Sequence, residues 1–243
     1  GKNFGAIQKF IAIKELNSAF RKIKSSLDFV GMDSIAVSSY SYHFTDLFHR
    51  DNPTAVSQMS VGHSKDLKTN TFEKLGEFFY DNDPNDGYKY AKIVGRIRNE
   101  RVIKYIREDY IAYPQNYHKY KIFVAKANGS RELGSTGPLL LGDKKTGSTE
   151  TFMSLGSFEK KSEAENAIKY IKTKFARALF GISKVTQQIT PDVWKYVPMQ
   201  DFTKNSDIHW DDSIDKICKQ LYQKYDLTDE EISFIETNVK EME

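Results

Sequence analysis

The chain has 243 residues, of which 39% are hydrophobic and 28% are charged, and its formal net charge is +3. This composition is typical of a folded globular protein, and no apolar run approaches the roughly 20 residues needed to cross a bilayer, so we expect no membrane partner. A single cysteine, Cys218, excludes an internal disulfide and a zinc site built on cysteine pairs, and it favours a reducing, cytoplasmic location. The chain begins Gly-Lys-Asn-Phe, without an initiator Met or a signal-like pattern, which predicts a fragment of a longer protein.

Charge is distributed unevenly along the chain. Residues 86–131 contain 11 Lys and Arg against 4 Asp and Glu, whereas residues 199–243 contain 5 Lys against 12 Asp and Glu. This asymmetry is typical of a protein with one face for a polyanion and another for water or a protein partner, although two solvated faces would give the same counts.

Apolar residues recur at helical spacing near the start of the chain, which predicts a helical connector over residues 1–30. They are Phe4, Ile7, Ile11, Phe20, Ile23 and Leu27. Residues 35–48 are rich in Ser, Tyr, Phe and Val and favour strands or irregular aromatic structure. The sequence DNDPNDG at residues 81–87 is the strongest turn signal, because Asp and Asn bond their own backbone and Gly tolerates positive φ.

The sequence after this turn, YKYAKIVGRIRNERVIKYI, places cations among β-branched and aromatic residues. It predicts two basic strands joined by a hairpin turn over residues 98–100. Further strands are predicted over residues 120–126, ending in a turn at Asn128 and Gly129, and over residues 148–158. These strands make a small β-rich unit within a predicted domain of residues 31–198.

An amphipathic helix follows the strands. Ser162 and Glu165 have the spacing of a capping box and predict its start, and Gly181 predicts its end. Its apolar residues form one stripe, with Lys169 and Arg177 on the opposite side. The pattern therefore predicts a helix with one face in the core and one cationic face.

The last segment, residues 199–243, is predicted to form an acidic helical hairpin. Apolar spacing from Ile214 to Tyr225 indicates the first helix, which contains Cys218 as a small hydrophobe. Thr228 and Glu231 form a capping box at the start of the second. The predicted fold class is α+β, a β-rich recognition unit packed with an amphipathic helix and a C-terminal helical hairpin.

Sequence signals for catalysis are absent. The glycines form no dinucleotide or phosphate-binding motif, the five His residues lack ligand spacing, and no Ser lies in G-x-S-x-G. Pro191-Asp192 could open a Mg²⁺-dependent nuclease motif, but no acid-x-Lys partner on a strand follows it. We therefore predict no catalytic residue, no metal site and no cofactor in this fragment, and keep a nuclease domain as an alternative.

Three segments instead combine cations with amide and hydroxyl side chains, the groups that bind phosphate oxygens and base edges. The predicted DNA-binding residues are Arg96, Arg98, Arg101, Lys126, Asn128, Ser130, Arg131, Lys172, Lys174, Arg177, Lys184, Thr186 and Gln187. Taken singly, each segment would fit a solvated sheet face, an ordinary turn or a soluble helix surface. Their proximity along the chain favours a polyanion-binding face.

Several ordered motifs carry a family resemblance. They are KIFVAKANGS, TETF at residues 149–152, EAEN at 163–166, TKFAR at 173–177, KVTQ at 184–187, YVPMQDF at 196–202 and QLYQKYDLTDEEISFIE at 220–236. From about Tyr105 to the end, the chain resembles the C-terminal region of restriction-modification adenine-N6 DNA methyltransferases. Residues 34–44 are similar to the segment that enters this region.

In that family the region looks like the target recognition domain, which reads the DNA site while a separate domain binds S-adenosylmethionine and methylates the base. The resemblance implies double-stranded DNA and the parent's catalytic methyltransferase domain as partners, with S-adenosylmethionine bound outside this fragment. It implies an adenine-specific parent enzyme, alone or fused to a restriction endonuclease. By this hypothesis Lys172, Lys174 and Arg177 position phosphates, and base edges are reached by residues of the two turns, namely Asn128, Ser130, Arg131, Thr186 and Gln187.

The chain departs from the family pattern in three places. Arg131 stands where the family has Gly after Ser130, and residues 216–218 lack an expected acid. The [DNS]-P-P-[YFW] motif, which stacks on an extruded adenine, does not occur in the sequence. We therefore expect a noncatalytic domain, and the alternative from another class is a protein-interaction module that docks through its acidic hairpin.

Overall fold

The computed structural model describes residues 13–26, 29–130, 132–184 and 186–242, and its fold class is α+β, as predicted. Within these ranges the α-helices are α1 (Lys14–Lys24), α2 (Asp46–Asp51), α3 (Ala55–Gln58), α4 (Thr71–Lys74), α5 (Lys161–Lys172), α6 (Lys174–Ser183), α7 (Ile214–Lys224) and α8 (Asp229–Asn238). The strands are β1 (Ala36–Val37), β2 (His43–Phe44), β3 (Tyr90–Ile97), β4 (Glu100–Arg107), β5 (Ile111–Ala112), β6 (Tyr120–Ala125), β7 (Leu139–Gly142), β8 (Thr146–Ser148) and β9 (Phe152–Phe158). No helix of the described residues is long and apolar enough to span a membrane.

The strands form three small sheets. One has the order β1-β9-β6-β7 with antiparallel neighbours, and β2 pairs with β5. In the third, β3 pairs antiparallel with β4 and parallel with β8. Ile97 pairs with Glu100 around Arg98 and Asn99, which have φ values of 48° and 68°. Two successive positive φ values are characteristic of the type I′ turn, so the hairpin predicted here is confirmed.

The larger core lies between the four-stranded sheet and the helices. α5 packs on β6 and β9, α6 packs beside α5, and α1, α7 and α8 cover the other sides of these two helices. Buried Phe20, Ile171 and Leu221 show that this core draws on all three predicted segments. The ammonium of Lys22 on α1 also contacts buried Glu231 on α8 at 2.9 Å. The boundaries at residues 30 and 198 stay a prediction.

A second core lies behind the β3–β4 hairpin and is mostly aromatic. It includes Phe44, Phe48, Phe72 and Ile93. A Cβ added to Gly95 of β3 would lie 2.4 Å from a ring carbon of Phe72, so only glycine allows this close packing. The inner face of the hairpin is therefore fixed against this core, Val94 on its outer face is buried against Phe123 and Phe152, and the tip remains exposed.

The predicted amphipathic helix is two helices, and its predicted start is wrong. α5 begins at Lys161, where the Glu163 carboxylate accepts a hydrogen bond from the Lys160 N–H at 3.4 Å. Glu165 lies in the helix and contacts Lys161 at 3.7 Å. The backbone leaves the helical region at Thr173, whose hydroxyl accepts from the Ala176 N–H at 3.1 Å and starts α6.

The other predicted helices and strands are present, with some different bounds. The connector helix is present as α1, but its predicted positions Phe4, Ile7, Ile11 and Leu27 lie outside the described residues. The strand predicted over residues 120–126 is β6, and the one predicted over 148–158 begins only at Phe152, because Ser148 ends β8. The helical hairpin is confirmed as α7 and α8, and its capping box has Thr228 and Glu231 each accepting the other's backbone N–H.

Candidate nucleic-acid interface

Two of the three predicted DNA-binding segments lie side by side. The turn after β6 and the segment after α6 pair through an isolated bridge between Ala127 and Gln188. The Asn128 N–H donates to the Gln187 carbonyl at 2.9 Å, and the Ile189 N–H donates to the Lys126 carbonyl at 2.7 Å. Residues that are far apart in sequence thus become neighbours on one surface.

A cavity of about 410 Å³ lies at this junction, and we call it the Ser130 pocket. Its polar lining comes from Ser130, Glu132, Lys184, Thr186 and Gln187. The Thr186 and Gln187 side chains are exposed. Hydroxyl and amide groups of this kind bind phosphate oxygens or base edges.

Asn128 shapes the turn beside the pocket. Its amide donates to the Ser135 hydroxyl at 2.8 Å, and its side-chain oxygen accepts from the Ser130 N–H at 3.0 Å. The Lys184 ammonium donates to the Ser135 carbonyl at 2.8 Å, and burial lowers the pKa of this lysine. Both residues are therefore occupied in holding the turn, and Arg131 lies outside the described residues.

A second cavity of about 420 Å³ lies at the end of the β3–β4 hairpin, and we call it the hairpin pocket. Cations and polar side chains dominate its lining, which includes Thr69, Asn70, Glu73, Arg96, Arg98, Asn99 and Lys126. Ala127 lines this pocket and Gly129 lines the Ser130 pocket. The two cavities therefore adjoin across one short turn.

Three arginines lie at the hairpin end. Arg96 and Arg101 are directly opposite each other on neighbouring strands, and Arg98 occupies the exposed turn. The Arg96 Nε is buried without a hydrogen-bond partner in the described part of the chain, and the Arg101 guanidinium lies 5.8 Å from the Phe152 ring. Like charges directly opposite each other destabilise a sheet. An anion bound between them would relieve that repulsion.

Lys126 extends the cationic surface toward Tyr40, a residue that the sequence analysis missed. The ammonium donates to the Tyr40 hydroxyl at 2.6 Å and lies 3.8 Å from a Glu150 oxygen. Tyr40 is 49% exposed. Sequence reasoning also missed Thr69 and Asn70, since all three residues lie in segments without a cationic pattern.

Arg177, predicted to face DNA, is buried. It is 4% exposed and its Nε donates to the Gly134 carbonyl at 3.2 Å. Burial lowers the pKa of this guanidinium. The loop containing Gly134 covers the side of α6 that amphipathic spacing predicts to be solvated, so the predicted exposure is wrong. Arg177 holds this loop in place.

The other cations of the amphipathic segment also turn toward the protein. The Lys174 ammonium lies 2.9 Å from a Glu236 carboxylate oxygen, and this hydrogen bond raises the pKa of Lys174. Lys169 donates to the Trp210 carbonyl at 2.6 Å, and Lys172 is half-buried. The predicted cationic helix face is therefore wrong for Lys169 and Lys174, because the C-terminal segment covers them.

Metal-binding geometry is not found in the described ranges. They contain no group of three or more His, Cys, Asp or Glu residues that could hold a metal ion. Asp192, the residue considered for a nuclease motif, is exposed and contacts Lys195 at 3.2 Å.

In comparisons with known proteins, no protein-family model, no curated protein and no solved structure matches this chain. Its function is therefore inferred from its residues and their geometry.

Proposed function

We propose that the chain is a sequence-specific DNA-binding domain, the target recognition domain of a restriction-modification adenine-N6 methyltransferase, and that it does not itself transfer methyl groups. Its partners are double-stranded DNA and the catalytic domain of the parent protein, which binds S-adenosylmethionine. The proposal includes a cytoplasmic location, in keeping with the single cysteine.

The observation that supports this proposal is the junction of the two pockets across the 126–130 turn. Arg96, Arg98 and Lys126 line one side, with Arg101 opposite Arg96. The neutral Thr186 and Gln187 line the other side, together with Ser130. Cations beside neutral polar groups suit a DNA interface, where phosphate contacts position the protein and base contacts give specificity.

Three carboxylates near the two pockets have partners within the protein, whereas Glu100, next to the hairpin turn, is exposed. Glu73 accepts from the Arg98 N–H at 3.3 Å, Glu132 contacts Lys240 at 2.5 Å, and Glu150 contacts Lys68 at 3.5 Å. These contacts reduce the repulsion that free carboxylates would exert on phosphates. At the hairpin end Arg96, Arg98 and Arg101 outnumber Glu100, so the field that an approaching duplex meets there is positive.

Salt dependence tests the proposal. If about four cations contact phosphates, the logarithm of the association constant should fall with the logarithm of salt concentration with a slope of roughly −3 to −4. Fluorescence anisotropy with a labelled duplex between about 50 and 200 mM KCl would measure it, because this slope predicts that affinity falls by about 60- to 250-fold over that range. A slope near zero would contradict the proposal.

Charge reversal distinguishes DNA binding from the alternative of a docking module. Changing Arg98 and Arg101 to Glu should abolish DNA binding. A module that docks through its acidic hairpin would still bind its protein partner after these changes. No observation favours that module, because the apolar faces of α7 and α8, including Ile217 and Ile235, are already buried in the larger core. Incubation with plasmid and Mg²⁺ tests the nuclease alternative, which requires cleavage that is lost in Asp192→Asn.

A further inference from the structure

The tip of the β3–β4 hairpin has an unusual composition for its conformation. Both central residues, Arg98 and Asn99, have positive φ. Asn tolerates this conformation and Gly is the residue that a type I′ turn favours, but a long side chain such as Arg is disfavoured there. The turn thus holds a cationic residue, Arg98, in an unfavourable backbone conformation at an exposed position. Residues held in sparsely populated backbone conformations cluster at functional sites.

The side chains at this tip are free. Within the described residues, neither the Arg98 guanidinium nor the Asn99 amide has a hydrogen-bond or ion-pair partner, and both residues are exposed. Two other left-handed residues use their side chains internally, since the Asn85 amide donates to the Asp83 carbonyl and Lys145 contacts Glu108; Asp226 instead accepts from Lys22 through its backbone carbonyl. Arg98 and Asn99 therefore have donors and acceptors available for a ligand.

The backbone below the tip is held firmly. The inner face of the hairpin packs on the aromatic core, and Glu73 accepts the Arg98 N–H. Arg96 and Arg101 lie directly behind the tip on the outer face. The β3–β4 hairpin is thus a preformed two-stranded ribbon. It has the free side chains of Arg98 and Asn99 at its end and the cations of Arg96 and Arg101 behind them.

We propose that this tip enters the major groove of duplex DNA, where Arg98 and Asn99 read neighbouring bases while Arg96 and Arg101 contact phosphates. The inference rests on the proposed function and names the element that carries its specificity. The major groove is about 12 Å wide and admits a two-stranded ribbon. There, Arg pairs with the O6 and N7 acceptors of guanine, and Asn pairs with N6 and N7 of adenine.

Selection of bound duplexes from a random pool tests this inference on the full chain. The wild type should enrich a motif that contains a guanine and a neighbouring adenine. Asn99→Gly should lose discrimination at the adenine by about 5- to 150-fold, and Arg98→Gly should lose it at the guanine, with other positions unchanged. Glycine suits positive φ, so both variants should unfold at the wild-type temperature or above it, which separates lost contacts from a damaged fold.

Asn85→Gly is the matched control, because it removes another left-handed Asn from a turn before β3, at the opposite end of that strand. Its motif should match the wild type. If both tip variants enriched the wild-type motif, or lost affinity equally for all sequences, Arg98 and Asn99 would not read bases. The proposed function of DNA binding would be unaffected by that result. A wild-type chain that enriches no motif would overturn this inference and the proposed function together.

Discussion

Lys174 on α6 and Glu236 on α8 form an ion pair, with 2.9 Å between the ammonium nitrogen and a carboxylate oxygen. The other oxygen of Glu236 accepts from the Tyr222 hydroxyl at 2.8 Å. The acidic end of the chain therefore neutralises part of the basic helical segment within the molecule. Part of the acidic excess of residues 199–243 is therefore paired within the molecule, and the proposed DNA surface is provided by the sheet and two turns instead of α6.

Lys174→Gln tests this division of roles. Because Lys174 is mostly covered and paired, its loss should leave DNA affinity and the salt slope unchanged. The free energy of unfolding should fall by about 1 kcal/mol or less, as for a partly exposed ion pair. Anisotropy and urea denaturation measure the two effects. A salt slope that becomes shallower by about 0.9 would instead indicate that Lys174 contacts phosphate.

Arg101→Gln should change stability and binding in opposite directions. Removing one of two opposed arginines should raise the free energy of unfolding by about 0.2–1 kcal/mol without DNA. The same change should weaken DNA binding and make the salt slope shallower by about 0.9. Lys92→Gln is the control for stability, because Lys92 lies opposite Tyr105 instead of another cation. Equal stability changes in the two variants would contradict the repulsion between Arg96 and Arg101.

Gly134 and Gly137 provide a matched pair in the loop that covers α6. Their φ values are 73° and 74°, but a Cβ would lie 2.3 Å from the Arg177 carbonyl oxygen at Gly134 and no closer than 3.6 Å to another residue at Gly137. Gly137→Ala should lower the free energy of unfolding by about 1–2 kcal/mol, the cost of the left-handed conformation. Gly134→Ala adds a steric clash, for about 2–5 kcal/mol in total. Equal losses in urea denaturation would show that the loop shifts freely.

Lys121 predicts a pH dependence of stability. Its ammonium is fully buried and donates to the carbonyls of Tyr117, Asp143 and Thr146 at 3.0–3.1 Å, and burial lowers its pKa to about 7. Between pH 7 and about 10 the unfolded chain holds a proton that the folded chain releases, so stability should rise with pH by up to about 1.4 kcal/mol per unit. Below pH 7 this contribution is constant.

The measurement compares the wild type with Lys121→Met between pH 6 and 9 by urea denaturation, a range of about one to two units on either side of that pKa. The difference between their free energies of unfolding should be flat below pH 7 and should grow in favour of the wild type above it. A constant difference would mean that the three carbonyls keep the ammonium charged throughout.

Features set by neighbouring residues could be predicted from the sequence. The hairpin turn follows from the strand-forming residues on either side of Arg98 and Asn99, and the start of α8 follows from the spacing of Thr228 and Glu231. The break between α5 and α6 could also have been predicted, because Thr173, in the middle of the predicted helix, is a residue type that favours the N-cap position. The start of α5 was misplaced because Ser162 and Glu165 also have capping-box spacing. In the structure the cap lies two residues earlier, where Glu163 accepts the Lys160 N–H.

Features set by distant residues could not be predicted. The periodicity of α6 leaves one side to solvent, but Arg177 is buried because a loop more than forty residues earlier folds over it. The candidate interface combines Asn70, Arg98 and Lys126 from three separate elements. Composition identified the last two, whereas Asn70 became visible only through the packing of α4 beside the hairpin.

The contact between Lys22 and Glu231 has a practical consequence for shortening the chain. Removing both flanks to obtain residues 31–198 alone would strip α6 of its cover and leave Phe175, now stacked on Tyr225, facing water. Such a fragment should aggregate or melt, and its failure to bind DNA would say nothing about the recognition surface. The flanking helices share one core with α5, α6 and the four-stranded sheet.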